Sequence, residues 1–234
     1  MKNFSKRVLV TGGAGFLGSH LCSRLIKDGN NVICVDNFYT GSKKNIAHLL
    51  PLENFELINH DISSPLYLEV DEIYNLACPA SPIHYQLDPI QTTKTSVLGA
   101  INMLDLARQT NARIFQASTS EVYGMSDDKE FDEENTSFVL GPIKKQRWIY
   151  SCLKQLLDRV IWAYGQKEGL DFTLFRPFNF IGPKLDRLTS ARIGSSRVIT
   201  QLILNLVEGT PIQLVDGGLQ KRCFTDVKDG VECL

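Results

Sequence analysis

The sequence lacks several features that would place it in other classes. Neither sign of charge dominates: 25 Lys and Arg stand against 26 Asp and Glu, a formal charge of −1. That balance gives no electrostatic reason to expect nucleic acid or a membrane surface as a partner. The four histidines, His20, His48, His60 and His84, show no paired spacing, and the six cysteines (22, 34, 78, 152, 223, 233) contain no C-x-x-C pair. No metal site is therefore read. Several cysteines sit inside apolar runs, which favours buried, reduced thiols over a disulfide frame and suits a cytoplasmic protein. Long apolar runs are missing too. The most apolar helical stretch, Val198 to Val207, is interrupted by Gln201 and Asn205 and is too short to span a bilayer. Met1 to Lys6 lead straight into a strand-like run, with no secretion-signal pattern. There is no repeat or low-complexity tract. A hydrophobic fraction of 43% over 234 residues suits one large domain, or one with a small appended lobe.

What is present is alternation. Short apolar runs, Val8–Val10, Val32–Val35, Phe55–Ile58, Ile73–Leu76, Ile114–Ala117 and Phe172–Phe175, are separated in several places by amphipathic segments. The clearest segment sets Leu153, Leu156, Leu157, Val160, Ile161 and Tyr164 on one helical stripe. Strand, helix, strand in this order predicts an α/β fold with a parallel sheet covered on both faces. After Pro177 the pattern changes to a Gly/Pro/Ser/Arg-rich loop, a helix near Ser196 to Glu208 and a short strand, Ile212 to Val215.

Thr11-Gly-Gly-Ala-Gly-Phe-Leu-Gly18 follows the first strand and opens a helix. Gly13, Gly15 and Gly18 satisfy G-x-G-x-x-G, and Gly12, Gly15 and Gly18 satisfy G-x-x-G-x-x-G. Glycine is needed there for a tight turn, for close approach of backbone to a pyrophosphate, and for close packing of helix on strand. Asp36 ends the next strand about twenty residues on, where a carboxylate accepts hydrogen bonds from ribose hydroxyls and repels a 2′-phosphate. The fold is thus a Rossmann-like, doubly wound parallel sheet, and NAD is the expected cofactor, although Lys43 and Lys44 lie near. Gly12, Gly15, Phe16, Leu17, Gly18, Asp36 and Asn37 are the expected cofactor contacts. Asp61 and Ile62, after the third strand, are candidates for the adenine edge. A plain turn is the other reading of Asp61.

Tyr150-Ser-Cys-Leu-Lys154 puts a phenol and an ammonium on one face of a helix. Beside NAD such a pair can act together: the cation lowers the phenol pKa, and the phenolate takes a hydroxyl proton as hydride leaves the same carbon. Ser118-Thr-Ser-Glu-Val-Tyr-Gly124 brings hydroxyls to the carboxyl end of a strand, where such sheets bind ligands.

These three motifs together resemble the extended short-chain dehydrogenase/reductase family of nucleotide-sugar enzymes. Leu76-Ala-Cys-Pro-Ala-Ser-Pro-Ile-His-Tyr85 resembles its UDP-glucuronate decarboxylase (UDP-xylose synthase) group. From Gly141-Pro-Ile-Lys-Lys-Gln-Arg-Trp-Ile-Tyr150 through Lys221-Arg-Cys-Phe-Thr-Asp226, the chain resembles the decarboxylase domain of bifunctional polymyxin-resistance enzymes, which form a UDP-4-keto-pentose. The resemblance implies Thr119 as hydroxyl partner of Tyr150, and Lys154 orienting the nicotinamide ribose. It implies Ser120 and Glu121 at the sugar's carboxylate end, Glu121 with a catalytic part, and Tyr85, Asn179, Arg197 and Arg222 holding a UDP-sugar. The related sugar dehydratases carry an Asp where this chain has Ser120, which disfavours dehydration.

The expected division is residues 1–176 for NAD and 177–234 for the start of a nucleotide-sugar lobe. The resembled family continues further, so this lobe is expected to be incomplete, with weak UDP-glucuronate binding and low turnover. The C5 proton donor is unassigned, Arg147 being the first to test. A homodimer is implied, through the helices near Asp88 to Gln109 and Arg147 to Glu168. Three functions stay open: decarboxylation to UDP-xylose, oxidative decarboxylation that stops at the 4-keto-pentose with release of NADH, and an inactive NAD-binding module. Another epimerase or dehydratase activity is a further alternative.

Overall fold

The computed structural model describes residues 5–194 and 196–234. The chain divides into two compact units, one ending at Pro177 and the other running Phe178–Leu234. In the first, β1 (Arg7–Thr11), β2 (Asn31–Asp36), β3 (Phe55–Asn59), β4 (Glu72–Asn75), β5 (Arg113–Ala117) and β6 (Phe172–Phe175) form one parallel sheet in the order β3-β2-β1-β4-β5-β6. All six strands fall where the apolar runs predicted them. The order reverses between β1 and β4, so a crevice opens at the carboxyl ends of those two strands.

Register sets the layers. Leu9, Ile33, Ile73 and Ile114 lie in one row across four strands and are buried. They join Met103, Leu104 and Ala107 of α4 (Pro89–Thr110) and Ile161 of α5 (Trp148–Glu168) in one core. Three shorter helices precede these: α1 (Phe16–Lys27), α2 (Lys43–Ile46) and α3 (Pro82–Leu87). Asp88 serves two helices at once. Its N–H donates to His84 at the end of α3, while its carboxylate accepts from the N–H of Gln91 in the first turn of α4. Pro89 follows at the first helical position, where its missing N–H costs nothing.

The stripe expected on α5 is corrected at one position. Leu153, Leu157 and Ile161 are buried, whereas Leu156 is 44% exposed. Tyr150, Ser151, Lys154 and Asp158 are buried instead, so the inward arc is turned toward the polar side of the helix. An apolar stripe cannot report that rotation.

The second unit holds α6 (Leu188–Arg192), α7 (Val198–Glu208) and α8 (Val227–Glu232), with β7 (Phe180–Ile181) parallel to β8 (Thr225–Asp226). Asp226 caps α8 through the N–H of Lys228. The strand expected at Ile212–Val215 does not form. Residues 211–214 are irregular and Val215–Gly218 make a 3-10 turn, in which Gly217 and Gly218 take positive φ and break any extended run. Cys22 and Cys34 are buried, Cys78 is half-buried, and Cys152, Cys223 and Cys233 are exposed; all six are free thiols. Among the described residues no helix is long and apolar enough to cross a membrane, and no cluster of three or more metal-ligating side chains occurs.

Candidate active site

The glycine turn closes on itself. A Cβ at Gly18 would sit 2.3 Å from the Gly12 carbonyl oxygen, so only glycine lets α1 pack this closely on the turn. Gly15 differs: it stands at the N-cap of α1, and a Cβ there would meet nothing within 4 Å except that carbonyl oxygen, at 3.1 Å. Gly12, Gly15, Phe16 and Leu17 are partly exposed, while Gly13, Ala14 and Gly18 are buried. The turn therefore presents an open edge at a helix N-terminus, a cradle that fits a pyrophosphate.

Asp36 is buried at the end of β2, where Oδ2 accepts from the N–H of Ala14 (2.9 Å) and Oδ1 from that of Phe38 (2.7 Å). Burial pushes its carboxyl up, opposed by the Phe38 and Ala14 N–H groups. Two bonds leave further lone pairs for ribose hydroxyls. Phe38 holds φ at 60°, unusual for a bulky residue, and its N–H contact with Asp36 shapes this loop. Asn37 donates to Asp61 (3.0 Å), which also accepts from Ser63 (2.9 Å) and Gln91 (3.4 Å). Burial raises the Asp61 carboxyl, but the Ser63 and Asn37 hydrogen bonds outweigh it and hold it below its usual value. Ile62 has its side chain in the core and its carbonyl bonded to Asn102 (2.8 Å).

The second cluster lies across β5, α3 and α5. Thr119 caps a short 3-10 turn, Ser120–Tyr123, by accepting from the N–H of Glu121 (3.2 Å). On α5, Lys154 is buried beneath the Tyr150 ring, its Nζ 5.7 Å from the ring centroid and 2.5 Å from the Ala117 carbonyl oxygen. Tyr85 of α3 is wholly buried and stacks on Tyr150, centroids 5.1 Å apart and planes at 4°. Burial raises the Tyr150 phenol well above its ordinary value, with Cys78 and Glu121 adding to the shift and a hydrogen bond to Thr119 opposing it. Burial likewise pushes Tyr85 up to about 12. The Tyr85 hydroxyl has no hydrogen-bond partner among the described residues, so it suits a polar ligand atom. Glu121 accepts from Ser151 (3.4 Å) and faces Arg147 at 4.0 Å. Burial raises its carboxyl, and Arg147 and Ser151 pull it back. Tyr85 and Arg147, with Lys144, Lys145 and Gln86, line a cavity of about 400 Å³.

Asn179, Arg197 and Arg222 belong to the second unit. Asn179 ties β7 to the chain before β8 by donating to the Cys223 carbonyl (2.9 Å). Arg197 is held by Asp186 (2.8 Å) and the Leu185 carbonyl (3.0 Å), and Arg222 is exposed, bonded to Gln220 (2.9 Å) and the Lys221 carbonyl (2.7 Å).

Two features of the first unit escaped the sequence. Cys78, just past β4, is close enough to Tyr150 to affect its ionisation. Asp158, one turn after Lys154, is buried in an ion pair with Arg176 (3.1 Å) and accepts from Ser118 (3.0 Å), the neighbour of Thr119. Arg176 also reaches the Tyr123 hydroxyl (3.2 Å) and lies over the Tyr123 and Phe138 rings. The spacing of Asp158 from Lys154 was legible; its distant partner was not.

Comparison with known proteins agrees with this geometry. The family model described as "NAD dependent epimerase/dehydratase family" matches residues 8–234. The crystal structure of the PbgP3 protein from Burkholderia pseudomallei is 39% identical, with a TM-score of 0.81, over 97% of this chain and 69% of that one. A UDP-N-acetylglucosamine 4-epimerase from Methanobrevibacter ruminantium, solved with UDP-N-acetylmuramic acid, is 26% identical with a TM-score of 0.86, over 97% and 71% of the two chains. A dTDP-glucose 4,6-dehydratase from Bacillus anthracis, solved in complex with NAD, is 25% identical with a TM-score of 0.80, over 97% and 70%.

Proposed function

This chain belongs to the NAD-dependent epimerase/dehydratase family, and on that premise we propose that it decarboxylates UDP-glucuronate, through a 4-keto intermediate, to UDP-xylose. The glycine turn, Asp36, Asn37 and Asp61 would hold NAD, which when bound would supply the hydride acceptor for oxidation at C4 and the donor for the final reduction. Tyr150 takes the C4 hydroxyl proton, with Thr119 as its hydroxyl partner and the Lys154 ammonium favouring the phenolate. The resulting ketone lies β to the C5 carboxylate. The bond from C5 to the carboxylate then breaks, CO₂ leaves, and the electron pair is taken up by the ketone as an enolate. No separate base is needed at C5, but the enolate must take a proton there, for which Arg147 is the first donor to test, before hydride returns to C4 and the Tyr150 proton to its oxygen.

The observation that carries this reading is the surrounding of Glu121. Ser120 stands where the resembled dehydratases carry the Asp that protonates a leaving 6-hydroxyl, and Arg147, which faces Glu121 at 4.0 Å, lines a cavity together with Lys144 and Lys145. A carboxylate suits such a cavity better than a hydroxymethyl group does. Tyr85 and Ser120 are the proposed UDP-sugar contacts of the first unit, and Asn179, Arg197 and Arg222 those of the second, which we read as the start of a nucleotide-sugar lobe. We also propose a homodimer. Ile90 and Leu98 on α4, and Leu156 and Trp162 on α5, are exposed apolar side chains on two helices that pack side by side.

The test is incubation with UDP-glucuronate and a catalytic amount of NAD, followed by identification of the nucleotide-sugar product. UDP-xylose without net NADH is the expected result. UDP-4-keto-pentose with one NADH per turnover would replace the last step of the proposal. Recovery of a C4 epimer with the carboxylate intact would overturn it.

A further inference from the structure

Three neighbouring strands end in a line of buried polar side chains that the chemistry above does not use. Thr11 of β1, Asn75 of β4 and Gln116 of β5 are register partners, each no more than 3% exposed. Two residues back, the same line reads Leu9, Ile73 and Ile114, all core. A hydroxyl and two carboxamides in that setting are tolerated only when fully hydrogen-bonded.

They form a ladder whose direction is fixed from one end. Thr11 Oγ1 accepts from the N–H groups of Leu76 (3.1 Å) and Ala77 (3.2 Å), which occupies both of its lone pairs. Its own proton must point outward, to Asn75 Oδ1 at 2.7 Å. With that oxygen accepting, Asn75 presents Nδ2 to Gln116 Oε1 at 2.8 Å. Gln116 is left to donate from Nε2, and it does so to the Ala117 carbonyl at 3.1 Å. The same carbonyl accepts the Lys154 ammonium. The ladder therefore begins at the residue before Gly12 and ends on the cation beneath Tyr150.

We propose that Asn75 and Gln116 are positioning residues, which hold the Ala117 carbonyl as a fixed acceptor and thereby tie the aim of the Lys154 ammonium to the glycine turn. A carbonyl with both lone pairs engaged has little freedom to reorient, whereas one that has lost the Gln116 donor can turn and let the ammonium drift. The inference rests on Lys154 serving Tyr150 as proposed above, but its main test needs no turnover.

In whole protein labelled with ¹⁵N-lysine, the Lys154 ammonium resonance is identified by its loss in Lys154→Met. Its proton exchange with water is then followed. Gln116→Leu keeps the volume and removes the donor, and exchange is expected to speed up severalfold. Gln116→Glu supplies the donor only while its carboxyl is protonated: it can then accept from Asn75 and donate to Ala117. This variant should match wild type at low pH and approach the Leu variant as the carboxyl ionises, a dependence that simple loss of packing does not produce. Unchanged Lys154 exchange in Gln116→Leu overturns the proposal. So does a Glu variant that shows no such pH dependence, and that variant alone decides if the Leu variant fails to fold. With UDP-glucuronate, kcat of Gln116→Leu should fall roughly tenfold or more with little change in KM for NAD, as small misplacements of catalytic groups do. If wild type turns over no UDP-glucuronate, the substrate reading fails while the exchange data still judge the ladder.

Discussion

Asp158→Asn is the perturbation whose cost the structure specifies best. The Asp158 side chain is 5% exposed and that of Arg176 15%, so the pair is desolvated on both sides. One carboxylate oxygen, Oδ2, takes Ser118 at 3.0 Å and Arg176 Nε and NH2 at 3.1 Å each. Removing the charge strands a buried guanidinium, which costs about 3–5 kcal/mol when nothing replaces the partner. Here the Tyr123 hydroxyl and two aromatic rings stay beside Arg176, so the lower end, about 3 kcal/mol, is expected. The assay is urea unfolding followed by tryptophan fluorescence, because both tryptophans, Trp148 and Trp162, lie on α5 and report the first unit alone. Asp158→Leu with Arg176→Met should recover most of the loss, since replacing a buried pair by apolar side chains is often neutral. Burial raises the Asp158 carboxyl, against Ser118 and Arg176. The folded state thus binds this proton more tightly than the unfolded chain, and the group's contribution to stability declines as pH rises from the ordinary carboxylate range through its raised value. A loss below about 1 kcal/mol for Asp158→Asn would refute the claim that this pair is desolvated and coupled.

Titrations should show a clear preference for NAD over NADP that Asp36→Ala narrows; equal wild-type affinities would sink the role given to that carboxylate. Tyr150→Phe should lower turnover about 10²–10⁴-fold while NAD binding is kept, since only the proton-accepting oxygen is lost. Because burial raises the Tyr150 phenol and Thr119 opposes the shift, kcat/KM should rise with pH as the phenol ionises, and Thr119→Val should move that limb to higher pH. An unmoved limb would take Thr119 out of the base's environment. Light scattering or sedimentation at micromolar concentration should give twice the chain mass, and a monomer would remove the proposed α4 and α5 interface.

The six strands were legible because each is a short apolar run bounded by turns, and the glycine turn because its spacing is local. Tyr150 and Lys154 were legible for the same reason, sitting one turn apart on a single helix. What the sequence hid depends on sheet order. Thr11 meets Asn75 across 64 residues and Asn75 meets Gln116 across 41, and no period within either strand announces those meetings. Arg176 and Asp158 are likewise joined only when β6 and α5 are in place. β7 and β8, of two residues each, carry too little pattern to detect. Leu156 was misjudged because an apolar stripe fixes the period of a helix and leaves its rotation open.

Asp88 shows how far a peripheral residue can reach. It closes the helix that carries Tyr85 and opens the one behind it, so the last turn of α3 is anchored from outside. A side chain that cannot accept the Gln91 N–H would leave the first turn of α4 uncapped and loosen residue 88, whose backbone N–H closes α3 behind the Tyr85 ring that lies flat against Tyr150. Saturation mutagenesis at position 88 should then tolerate Asn, Ser and Thr, all able to cap a helix, and reject alanine and valine, which are far poorer caps. That is the selectivity of a reacting group, at a residue that need never touch substrate.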